Sequence, residues 1–63
     1  MAMTHPLRRQ ATALRTSSKG YDDLARGAPT PKARHDYAAA ASNMRDAAHL
    51  LDRAQELIDG ARP

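Results

Sequence analysis

The chain has no cysteine, no tryptophan and no phenylalanine. Without thiols there is neither a disulfide to staple a small fold nor a thiolate metal site. Two tyrosines are the only aromatic side chains, so there is little to stack on bases or on cofactor rings. No apolar run approaches the roughly 20 residues that cross a bilayer, and the N-terminus lacks the apolar stretch of a signal peptide; the expected location is cytoplasmic. Large apolar side chains are also scarce, with six Leu, one Ile and three Met among 63 residues. Ordering costs about 1.5 kcal/mol per residue, more than so small an inventory offsets alone. The composition therefore favours association over an isolated monomer.

Carboxylates are missing from the first part of the chain, where none precedes Asp22. Residues 1–32 hold six basic and two acidic residues (+4), and residues 33–63 hold four basic and five acidic (−1), which together give the net charge of +3. The basic character belongs to the first half, the one place where an anionic partner is suggested.

What is present in quantity is alanine, and its placement organises the chain. From Ala33 to Ile58 the apolar residues fall at Ala33, Tyr37, Ala40, Met44, Ala47, Leu51, Ala54 and Ile58, in steps that alternate four and three. This is a heptad seam with Tyr, Met, Leu and Ile at one core position and Ala at the other. A small residue in every heptad lets a second helix backbone approach closely. Ala41 and Ala48 widen the seam on one side, Leu50 and Leu57 on the other.

The spacing predicts two helices in one domain spanning 1–63. The first runs from about His5 to Arg26, with Thr4 or His5 as cap and Pro6 in its first turn, where a proline forfeits no hydrogen bond. Leu7, Leu14 and Tyr21 recur at sevens, with Ala11, Ser18 and Ala25 four residues beyond each. Gln10, Ser17 and Ser18 dilute this face, and Gly20 costs about 1 kcal/mol relative to Ala inside a helix, so any kink or break is expected in 17–20, with a separate short helix over 21–26 as the alternative. Gly27 is expected to end the helix in the left-handed conformation, and Pro29 forbids its continuation. Thr30 then caps, and Pro31 opens, a second helix that runs to Asp59, with Gly60 as its stop. So short a turn (27–30) makes the helices antiparallel neighbours. The fold expected is an all-α antiparallel helical hairpin, associating as a dimeric four-helix bundle.

Chemistry of the catalytic kind finds no foothold. Asp46, His49 and Asp52 follow one another in threes, but His35 and His49 fall on the side of the helix farthest from the seam, where a metal would have no desolvated pocket. Asp22 and Arg26 stand at ion-pair spacing, yet a pair of helices gives no cleft in which to shift a carboxyl pKa. Ser17 and Ser18 have no base nearby in sequence, and there is no glycine-rich phosphate loop. No enzyme activity, metal or cofactor is expected.

Two binding readings remain. The first is a non-enzymatic protein-interaction or regulatory adaptor module that acts through the seam of Ala33, Tyr37, Ala40, Met44, Ala47, Leu50, Leu51, Ala54, Leu57 and Ile58, with a second copy of itself or another helical protein as partner. The alternative is a nucleic-acid-binding regulator that grips phosphates with Arg8, Arg9, Arg15 and Lys19, since guanidinium forks suit phosphate oxygens. The outline is similar to that of the type VII secretion hairpins and of dimeric copy-number regulators that bind RNA loops. The Trp-X-Gly turn of the former and the Phe of the latter are absent here.

Overall fold

A computed structural model of the chain describes residues 6–62. It consists of two packed helices, α1 (Pro6–Gly27) and α2 (Pro31–Ala61), with no strand among the described residues. The caps expected at Thr4 and His5 lie outside those residues.

Pro6 stands first in α1, as its missing N–H allows. The helix then continues through Ser17–Gly20 without a break, for 22 residues. Gly20 faces open space, and a Cβ added there would touch nothing within 4 Å. Its propensity cost is outweighed because Ser18 before it and Ala25 after it are both buried against α2. The end of α1 also differs from expectation. Gly27 stays within the helix, and no described residue has a positive φ. The chain leaves instead through a short hydrogen bond of the tight-turn kind, in which the Ala28 N–H donates to the Ala25 carbonyl at 3.3 Å. With Pro29 following, no N–H is available to prolong the helix, and no left-handed residue is required.

The start of α2 follows from local stereochemistry. Thr30 is extended (φ −128°, ψ 153°), its hydroxyl accepts from the Ala33 N–H at 3.1 Å, and Pro31 occupies the first turn. At the far end Gly60 does not stop the helix. It runs on to Ala61, and the Arg62 N–H donates to the Asp59 carbonyl at 3.3 Å.

Between the helices lies a seam of small residues. Ala11, Ser18 and Ala25 of α1 and Ala41, Ala48 and Gln55 of α2 are buried, each set spaced by sevens. Small side chains let helix axes come close, but they bury little apolar area. Among the described residues no side chain larger than Ser18 is fully buried. The two polar members of the seam are satisfied within their own helices: the Ser18 hydroxyl donates to the Arg15 carbonyl at 2.7 Å, and the Gln55 amide to Asp59 at 3.0 Å. The outcome is a slab of 53 × 21 × 9 Å, one helix thick. Its Cα radius of gyration is 15.1 Å, against about 10–11 Å for a globular chain of this length.

Candidate functional site: an apolar association face

The slab has two unlike sides, and the seam divides them. On one side the helices are joined by ion pairs. Arg15 donates to Asp52 at 2.7 Å, Arg8 stands 3.6 Å from the same carboxylate, and Arg45 donates to Asp22 at 2.8 Å. Asp22 thus reaches across to α2, and Arg26 pairs with Asp23 instead, at 3.2 Å. A shallow groove of about 360 Å³ runs between Arg15, Lys19, Asp22 and Arg45. Asp52 and Asp22 pair with its arginines, but Arg8 shares Asp52 and Lys19 also lines the groove, so this side keeps a net positive charge.

This arrangement decides what the basic residues of α1 are free to do. Arg8 and Arg15 share the single charge of Asp52, and of the two only Arg15 is hydrogen-bonded to it. Arg9 and Lys19 are exposed, with no ion-pair partner among the described residues. Arg8 and Arg15 therefore belong to the interhelical clamp, Lys19 lines the groove beside Arg15, and Arg9 stands apart from them. His35 and His49 are exposed, and among the described residues no three His, Cys, Asp or Glu side chains assemble as metal ligands.

The other side carries no charge in its central rows. Tyr21 and Tyr37 meet across the helices there, with ring centroids 6.0 Å apart and planes tilted by 35°, a favourable aromatic geometry. Leu7 and Leu14 continue the Tyr21 row, and Met44 and Leu51 continue the Tyr37 row; all are only half-buried. Beyond them lies the second small row, Ala33, Ala40, Ala47 and Ala54, also half-buried. The row against α1 is therefore the one containing Ala41 and Ala48, whereas the Ala33–Ala54 row looks away from α1. Leu50 and Leu57 flank that outward row and are 66% and 63% exposed; Ile58 is 47% exposed. Leu24 widens the same side on α1.

Ser18 shares the sevenfold spacing of Ala11 and Ala25 and sits with them in the central seam. Gln55, to which the sequence pattern assigns no role, sits there too, and the signal for it is its spacing of seven from Ala48. At its outer edge the face is bordered by Asp36, which accepts from Lys32 at 2.7 Å. That hydrogen bond, with the charge attraction behind it, holds the Asp36 carboxyl below its ordinary range and the Lys32 ammonium above its own.

The apolar face runs along α2, and Leu50, Leu57 and Ile58 leave it open to solvent. Among the described residues no helix is long and apolar enough to cross a membrane. Comparison with protein-family models, with curated proteins and with solved structures found no match to this chain.

Proposed function

We propose that the chain is a non-enzymatic protein-association module, a small adaptor or regulatory element that works by completing a helical bundle. Its simplest completed form is an antiparallel four-helix bundle made by two copies. The observation that carries this reading is the open face itself: Leu50, Leu57 and Ile58 exposed beside a half-buried alanine row on a slab one helix thick. Domains are built from two packed layers, and this hairpin supplies one.

The areas point the same way. The chain exposes 4857 Å², whereas a compact chain of this mass exposes about 4,000 Å². The excess, roughly 850 Å², is close to the ~800 Å² that each partner contributes to an interface of ordinary size. The nucleic-acid reading has less behind it, because Asp52 offsets part of the charge of Arg8 and Arg15 and only two tyrosines are present to stack on bases.

The test is to place charge in the face without touching the inner seam. Leu50→Glu with Leu57→Glu should abolish association while each chain keeps its α1–α2 ion pairs. Association that survives both charges unchanged would overturn the proposal.

A further inference from the structure

Building on that association reading, we infer that the partner is a second copy, and that the two copies meet through their α2 helices, antiparallel, about a twofold axis between Met44 and Ala47. The inference rests on how large and small residues alternate along the open side of α2. Tyr37, Met44, Leu51 and Ile58 form one row, and Ala33, Ala40, Ala47 and Ala54 form the other. In a parallel pair, like rows face each other. Layers of two large side chains would then alternate with layers of two alanines, and no single helix separation would suit both. In an antiparallel pair, each large residue faces an alanine instead. Met44 lies opposite Ala47 of the second copy, and Leu51 opposite Ala40. Further out, Tyr37 meets Ala54 and Ile58 meets Ala33. Every layer then holds one large and one small side chain, so the helices keep one close separation over their length.

Three further observations agree with this pairing. The axis it requires, midway between Met44 and Ala47, falls beside the midpoint of α2, which spans Pro31–Ala61. The whole of α2 is thus matched, including the part by which its 31 residues exceed the 22 of α1. Neither of the facing rows contains a charge, so a second copy brings no like charges together and strands none. Finally, the tyrosine, methionine and leucine row is half-buried by α1 already. It serves both contacts, as a row does in a bundle where each helix touches two neighbours.

The chain has no cysteine, so single introduced thiols report the pairing. Ala40→Cys and Leu51→Cys proteins are mixed in equal amounts and oxidised, with the mass in solution measured by light scattering on the same samples. The pairing brings position 40 of one copy against position 51 of the other. Like positions stand 11 residues apart along the axis, about 16 Å. Because bridging needs Cα atoms within about 7 Å, the mixed disulfide should exceed either homodisulfide by about tenfold. Ala33→Cys with Ile58→Cys repeats the measurement using a side chain that is already exposed, in case Leu51→Cys weakens the fold. Self-linking of Ala40→Cys alone would mean a parallel pair, and a dimer in which neither mixture links would mean another face; either overturns this pairing while leaving association intact. A chain that stays monomeric at every concentration would overturn the pairing and the homodimer together.

Discussion

Ala47 and Ala48 are adjacent in sequence, and replacing each by Leu should have different consequences. Ala48 is fully buried in the row that faces α1, so the added atoms of Ala48→Leu have no route to solvent and must push the helices apart. Overpacking of this kind costs about 1–3 kcal/mol. For a domain of this size each kcal/mol is about 4–8 °C in Tm, so the melt should fall by roughly 5–20 °C. Ala47 is half-buried on the open side. In a lone hairpin its leucine would extend into water and change stability by no more than about 0.5 kcal/mol. In the bundle the same leucine lies opposite Met44 of the second copy and costs about 1–3 kcal/mol. Helicity followed by circular dichroism during melts at several concentrations separates the two. Ala48→Leu should lower Tm at every concentration, and Ala47→Leu should lower it where association prevails. An unchanged melt for Ala48→Leu would refute the close α1–α2 seam. An unchanged melt for Ala47→Leu at high concentration would refute a close contact on the open face.

Other perturbations probe single features. Gly20→Ala fills space that nothing occupies within 4 Å and should raise stability by about 0.5–1 kcal/mol, read as a higher Tm; a lower one would mean that α1 needs its glycine. Asp52→Asn removes the carboxylate shared by Arg15 and Arg8. These pairs are partly exposed, so the loss should be about 0.2–1 kcal/mol for each and should shrink in high salt; a salt-independent loss would contradict an electrostatic clamp. The Asp36 carboxyl is held below its ordinary value of 3.8 by the hydrogen bond from Lys32. A depressed pKa stabilises the fold only while the group is ionised, so this contribution is complete above the ordinary value and is lost as pH falls through the folded one. Carbon-detected NMR titration should find Asp36 below 3.8 and should find Lys32→Ala returning it upward; no movement would mean that Lys32 is not the cause.

The features legible in the sequence were those set by neighbours along the chain. Thr30 and Pro31 announce a helix start because the cap and the proline act within one turn. The sevenfold spacing of Leu7, Leu14 and Tyr21 announces α1 for the same reason. The helix ends were less legible, since glycine permits a left-handed stop without compelling one. Gly27 and Gly60 both remain helical because nothing next to them requires the chain to turn there.

The choice of inner row was also beyond local reading. Ala40 and Ala47 on one side of Met44, and Ala41 and Ala48 on the other, offer equally small surfaces, and only the position of α1 decides between them. Arg15–Asp52 and Arg45–Asp22 join residues 37 and 23 apart, so no helical spacing could have signalled them. What the sequence did make plain is the surplus of apolar surface on α2, through Leu50 and Leu57, and it is this surplus that the fold leaves uncovered.

The most direct test of the central claim, that this hairpin is one layer of a larger bundle, is its mass by light scattering through a dilution series, with helicity recorded at each concentration. A helical species of twice the chain mass that loses helix as it dissociates is expected, because among the described residues no side chain larger than Ser18 is fully buried within one hairpin. A fully helical monomer, unchanged in mass and helicity from the highest concentration to the lowest, would contradict it.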